Sequence, residues 1–186
     1  MRIEVLRVIE SMITESEICG KQVLEAGARN VNGSVRPFVE AYHPKSYIGI
    51  DIEEGSGVDR ICDIYDLISV FGEEKFDVVI CTETLEHVAN WILAISNLKK
   101  VLRPGGIMVL SAPRPGRKYH GYPFDFWRYA KEDWRVILSD MIYLSICGIK
   151  RGMVVKAIKP LDYEEAELGM YKLYSVIHQK RRTYVP

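Results

Sequence analysis

Three short, largely apolar runs in the first third of the chain each end in a carboxylate. They are Lys21-Gln22-Val23-Leu24-Glu25, Tyr47-Ile48-Gly49-Ile50-Asp51 and Arg60-Ile61-Cys62-Asp63. Helical patterning separates the first two, and strands alternating with helices imply βαβ units and a largely parallel sheet with right-handed crossovers. A parallel sheet aligns the C-terminal ends of its strands along one edge, and ligands of open α/β sheets bind in the crevice outside that edge. The spacing therefore predicts three acids on one rim, beside the turn Gly27-Ala28-Arg29-Asn30-Val31-Asn32-Gly33. Such a rim repels phosphates and favours a ligand rich in hydrogen-bond donors or positive charge.

The remaining elements follow the same alternation. Val5, Leu6, Ile9, Met12 and Ile13 recur at helical spacing. Ser34 is read as an N-cap with Pro37 in the first turn, and that helix should end near His43-Pro44. A short helix is expected from Ile64 to Phe71, stopped by Gly72. Phe76-Asp77-Val78-Val79-Ile80-Cys81 is apolar enough for a strand buried on both faces. A helix from about Glu86 to Leu102, ended by Pro104-Gly105-Gly106, leads to the strand Ile107–Ser111. Residues 112–134 read as an aromatic-rich loop, a helix is expected near 131–139, and strand candidates at 142–147 and 152–158 are close enough to form a hairpin. The tail from Asp162 to His178 is expected to be helical.

These elements give one α/β domain over residues 1–186: an N-terminal helix (1–18), a cofactor-binding core (20–146), and an edge strand with a C-terminal tail helix (147–186). The expected architecture is Rossmann-like and doubly wound. Its sheet is mostly parallel and seven-stranded, with an antiparallel edge strand and helices on both faces. The 25 basic and 25 acidic residues cancel, which argues against a broad nucleic-acid footprint. Cys19, Cys62, Cys81 and Cys147 show neither CxxC spacing nor a disulfide framework, and no His/Cys spacing marks a metal site. The chain shows no signal-peptide pattern and no apolar run long enough for a membrane span, so a cytoplasmic location is expected. Lys150, Arg151, Lys156 and Lys159, with Lys180, Arg181 and Arg182, are read as a solvated surface in preference to a basic patch.

The dinucleotide fingerprint needs a second glycine two residues after the first so that backbone can approach a pyrophosphate; here Arg29 stands at that position. Asp51 is well spaced to hold ribose hydroxyls in either a nicotinamide or a sulfonium cofactor. Glu25 decides between them, because a carboxylate before the turn opposes a pyrophosphate and suits a cationic methionine moiety. Asp63 suits an adenine amine. S-adenosylmethionine (SAM) satisfies all three acids, and an NAD-dependent enzyme is disfavoured.

Taken in order, Glu25-Ala26-Gly27, Gly49-Ile50-Asp51, Cys62-Asp63, Phe76-Asp77-Val78-Val79, Leu85-Glu86-His87-Val88 and Leu102-Arg103-Pro104-Gly105-Gly106 resemble the motifs of class I SAM-dependent methyltransferases. The resemblance spans roughly residues 20–146. It implies that Glu25, Gly27 and Ala28 line the methionine end, Asp51 holds the ribose with Ile52 against adenine, Asp63 and Ile64 meet the adenine, and Thr82 contacts the methionine moiety through its backbone. It departs from the family pattern in the glycine turn, at Ala28 and Arg29.

On the acceptor side, His120 and His87 are the candidate bases, with Tyr122 and Asp125 as substrate contacts; Asp125 equally suits pairing with Arg128. Trp127 is read as core. The implied activity is methyl transfer from SAM, leaving S-adenosylhomocysteine, to an acceptor recognised by short loops. A small molecule or a saccharide- or lipid-type compound fits best, and nucleic acid is disfavoured. A homodimer or partner subunit is left open. The rival reading is a non-catalytic SAM-binding or structural subunit of a methyltransferase complex.

Overall fold

The computed structural model describes residues 2–121 and 124–183. A seven-stranded sheet forms its centre. In chain order its strands are β1 (Gln22–Ala26), β2 (Ser46–Asp51), β3 (Arg60–Ile61), β4 (Phe76–Thr82) and β5 (Leu102–Pro113), followed, after the short strand β6 (Trp127–Arg128), by β7 (Ile142–Gly148) and β8 (Gly152–Ile158). Their spatial order is β3-β2-β1-β4-β5-β8-β7. The first five are parallel, and β8 runs antiparallel to both β5 and β7. The expected reversed strand is thus β8, with its hairpin partner β7 on the rim.

The helices are α1 (Ile3–Met12), α2 (Glu15–Ile18), α3 (Arg36–Glu40), α4 (Leu67–Phe71), α5 (Trp91–Val101) and α6 (Lys131–Ile137). Two apolar layers flank the sheet. On one face Val5 and Ile9 of α1 join Val39 of α3 against Val23, Val78, Ile80, Val109 and Val154. On the other, Trp91, Ile95 and Leu98 of α5 pack with Leu67 and Trp134 over Leu24, Val79, Met108 and Val155. Strand residues alternate between these faces, as a pleated strand buried on both sides requires.

Several local expectations are corrected. The helix after the second glycine-turn segment is capped at Val35, not Ser34; the Ser34 hydroxyl accepts instead from the backbone N–H of Arg36 at 3.0 Å. The long helix begins at Trp91, where the Asn90 side chain accepts from the Leu93 N–H, and not at Glu86. The reason lies in long-range bonding. The Glu86 carbonyl accepts from Phe126 N–H, and those of Val88 and Ala89 accept from the Trp127 indole. Residues Leu85–His87 close into a single 3₁₀ turn.

The tail is not helical. It forms β9 (Leu173–Ser175) and β10 (Lys180–Arg182), which with β6 make a small antiparallel sheet. Leu173 and Ser175 are buried and Tyr174 is half-buried, a two-residue period that pairs onto Trp127–Arg128 and overrides helical propensity. Two of the surface lysines are also structural. Lys156 bonds Glu17 and the Met12 carbonyl. Buried Lys159 donates to the Lys99 and Leu102 carbonyls, where its charge meets the C-terminal end of α5. No described helix is long and apolar enough to cross a membrane.

Candidate active site

The parallel topology places the ends of β1, β2, β3 and β4 side by side, so Glu25, Asp51, Asp63 and Thr82 share one rim. The turn after β1 works because Gly27 sits at φ +76°, the left-handed region. A Cβ there would stand 1.9 Å from the Thr84 hydroxyl oxygen, so the first glycine of the motif is sterically obligatory. Ala28 fits where a glycine-rich turn would have less bulk, because glycines opposite it give way. Its side chain lies against Gly49, and its carbonyl occupies the space a side chain on Gly57 would need. Its N–H donates to Ile50 O at 2.9 Å. Ala28 therefore shapes the turn from beneath and offers neither its side chain nor its N–H to a ligand. Arg29 does not block the crevice, since its guanidinium pairs with Glu53 across the loop.

Asp51 is held for work on the rim. Its Oδ2 accepts from Arg29 N–H and its Oδ1 from Glu53 N–H, both at 3.2 Å. The adjacent Ile52 is 58% exposed and forms an apolar shelf. Asp63 accepts from Tyr65 N–H through Oδ1, capping the following turn. Ile64 is 7% exposed and lies in the core cluster. Thr82 is buried, and its carbonyl accepts from the Thr84 hydroxyl.

Glu25 is 3% exposed, and its Oε2 accepts from the Tyr47 hydroxyl at 2.5 Å. Burial raises its pKa to about 7, a shift that the Tyr47 bond partly offsets. At neutral pH this carboxyl therefore responds to an incoming cation, which would favour its ionised form.

The acceptor side is assembled from distant segments. Glu83, at φ +53°, turns the chain sharply after β4, and its carboxylate is bound by Arg2 at 2.5 Å. The 3₁₀ turn then presents Glu86 and His87. Facing them is the loop after β5, organised by Arg128, which is fully buried. Its guanidinium donates to the carbonyls of Arg117, Lys118 and Trp127 and to both oxygens of Asp125. Asp125 in turn binds His120, through its backbone N–H and through Nδ1, each at 2.9 Å. Burial acts to raise the Asp125 pKa, but the bonds from Arg128 and His120 overcome it and hold the carboxyl well below the usual carboxylate range.

An ionised carboxylate only accepts hydrogen bonds, so His120 Nδ1 carries the proton of that bond and Nε2 is the ring nitrogen turned away from Asp125. The same logic applies to His87, whose Nδ1 lies 2.5 Å from the Phe124 carbonyl. Burial lowers the His87 pKa, keeping that ring neutral. Both Nε2 atoms stand 3.8 Å from Glu86 Oε1. Glu86 is 1% exposed, and its Oε2 has no hydrogen-bond partner among the described residues; burial raises its pKa well above the carboxylate range.

The structure thus brings His120, His87 and Asp125 together. Tyr122 lies outside the described residues. Sequence reading missed Glu86, because it looked like one turn of the long helix. It also found no metal-type spacing, because the third side chain of the cluster Glu86, His87 and His120 comes from a distant loop.

A methyltransferase-domain family model matches residues 9–139. The chain belongs to that family. It carries a SAM-dependent methyltransferase domain, and its fold matches that of solved methyltransferase structures. The residues on the rim fit SAM: a carboxylate fixed by two backbone N–H groups, an open glycine turn and an exposed apolar shelf. Among curated proteins, the chain is 33% identical over 70 residues to a ubiquinone biosynthesis O-methyltransferase of Parvibaculum lavamentivorans, covering 38% of this chain and 27% of that one. It is 27% identical over 124 residues to the phthiotriol/phenolphthiotriol dimycocerosates methyltransferase of Mycobacterium leprae, covering 61% and 45%. The chain therefore spans less than half the length of these relatives. Two solved structures show the fold. One is the Burkholderia thailandensis 1,6-didemethyltoxoflavin-N1-methyltransferase with bound S-adenosylhomocysteine (TM-score 0.62, 16% identity, 84% of this chain and 78% of that one). The other is a Haemonchus contortus phosphoethanolamine N-methyltransferase with S-adenosylhomocysteine (TM-score 0.66, 12% identity, 84% and 52%).

Proposed function

We propose that this chain transfers the methyl group of SAM to a hydroxyl of a small, lipid-type acceptor, and that His120 serves the acceptor. One observation carries the reading: buried Asp125 fixes His120 so that its Nε2 faces Glu86 in the turn after β4. SAM supplies an electrophilic methyl, and the protein's share is orientation and electrostatics. Glu25 and Asp51 hold the methionine and ribose portions, and Ile52 supports the base. His120, with His87 beside it, takes the hydroxyl proton as the acceptor oxygen becomes nucleophilic. Exposed Tyr119 and Phe124 supply apolar surface for the body of the acceptor. Support for a lipid-type acceptor comes from relatives named for such substrates, among them a fatty-acid O-methyltransferase of Mycolicibacterium smegmatis, 23% identical over 147 residues.

The test is a radiolabelled-SAM assay against fatty acids, long-chain alcohols and phenolic lipids. His120→Gln should lower kcat by roughly 10²–10⁴-fold, the worth of a positioned base, while leaving SAM affinity unchanged. SAM binding with no turnover on any acceptor would favour a non-catalytic subunit.

A further inference from the structure

Glu86, His87 and His120 turn a carboxyl oxygen and two imidazole nitrogens toward one another. The Glu86 carboxyl is buried, the two Nε2 atoms each lie 3.8 Å from its Oε1, and both Nδ1 atoms are already engaged, by the Phe124 carbonyl and by Asp125. Glu86 Oε2 has no partner among the described residues. A buried carboxyl oxygen without a partner is costly, and one set beside two imidazole nitrogens forms a pocket of donors suited to a cation.

We propose that Glu86, His87 and His120 form a binding site for a divalent transition-metal cation. The donor set, two imidazoles and one carboxylate, suits Zn²⁺, Mn²⁺ or Fe²⁺ better than the all-oxygen preference of Mg²⁺ or Ca²⁺. The surroundings are those of metal-binding histidines, which give their second N–H to a carboxylate or a backbone carbonyl and are thereby locked in one tautomer. Asp125 and the Phe124 carbonyl do this here, and Arg128 anchors Asp125 in turn. Donors about 2.0–2.2 Å from a common ion at tetrahedral angles stand roughly 3.3–3.6 Å apart, so the two Glu86–imidazole pairs at 3.8 Å need to close by only a few tenths of an ångström and the widest pair by about 1 Å. The candidate atoms all lie within 4.8 Å of one another.

Three protein ligands leave further coordination positions, and the His120 side chain is 42% exposed, so those positions open toward solvent and the acceptor. This inference rests on the acceptor-side reading above and assigns the Nε2 lone pairs to a cation in place of direct proton transfer. The cation would draw the acceptor hydroxyl to itself and lower its pKa, the proton leaving to water.

Isothermal titration of the chelator-treated full chain with ZnCl₂, MnCl₂ and MgCl₂ tests the site. One Zn²⁺ or Mn²⁺ should bind per chain, and Mg²⁺ should not compete. Asp125→Asn should weaken binding by about 10–100-fold, as loss of an outer partner does. His120→Ala and Glu86→Gln should weaken it further. Visible absorption of the Co²⁺ form should change in the same variants. His120 is exposed, so that variant remains informative if Glu86→Gln proves unstable. No binding by the wild-type chain, or binding unchanged in His120→Ala, overturns the site. A SAM titration run in parallel separates that result from failure of the methyltransferase reading. SAM bound by a chain that takes no metal leaves His120 as the direct base, and SAM not bound removes the reading itself.

Discussion

The cofactor rim and the acceptor side are built by opposite means. Glu25, Asp51 and Asp63 stand at strand ends, each fixed by a short loop and by bonds to neighbours within its own βα turn or the adjacent strand. His120 and Asp125 lie between β5 and β6, and the buried ion pair of Asp125 with Arg128 of β6 draws the surrounding carbonyls inward. The difference teaches where each part is vulnerable. The rim inherits its geometry from the sheet and should tolerate loss of a single side chain without unfolding. The acceptor loop depends on one charged knot and should not.

The largest effect is expected from Asp125→Ala, which strands a buried guanidinium. Breaking a buried pair in this way costs about 3–5 kcal/mol, readable as a lowered urea midpoint, while the folded fraction should still bind SAM with unchanged affinity. Loss of SAM binding in proportion would break the separation between the two regions. Next comes Gly27→Ala on the rim. Left-handed backbone strain of about 1–2 kcal/mol adds to overpacking of roughly 1–3 kcal/mol against Thr84. Combining it with Thr84→Ala should recover part of the loss, because the nearest clash is with the Thr84 hydroxyl.

Asp51→Ala should act on binding more than on folding. Hydrogen bonds to a charged group are worth about 1.5–3 kcal/mol, so SAM affinity should fall by one to two orders of magnitude with little change in thermal midpoint. The smallest effect is a pH dependence at Glu25. Its folded pKa of about 7 exceeds the ordinary carboxylate value of 4.5, so the folded state holds the extra proton between them. Stability of the cofactor-free protein should therefore fall as pH rises from about 4.5 to 7, by on the order of 1–3 kcal/mol. Glu25→Gln should flatten that slope and be the more stable protein at pH 8. Because a cationic ligand favours the ionised carboxyl, SAM affinity should rise between pH 6 and 8 in the wild type and not in the variant.

The same contrast explains what the sequence revealed. The sheet and its rim were legible because strand periodicity, terminal acids and turn glycines are local signals. The packing of Ala28 was not legible because it depends on Gly49 and Gly57, which lie elsewhere in the chain. The burial of Ile64 was not legible because it depends on α5, whose Asn97 also bonds the Ile64 carbonyl. The start of α5 was missed because Phe126 and Trp127, far along the chain, take the carbonyls a longer helix would use. The tail was misread because its strands form only by pairing with Trp127–Arg128. The pairing of Asp125 with Arg128 was anticipated from their spacing, but its hold on His120 and the convergence on Glu86 required the folded chain.

The most direct measurement is calorimetric titration of the wild-type chain and Asp51→Ala with SAM, S-adenosylhomocysteine and NAD. The account predicts wild-type binding of SAM and its product, marked weakening of both in Asp51→Ala, and no binding of NAD. Binding of NAD, or SAM affinity indifferent to Asp51, would contradict it.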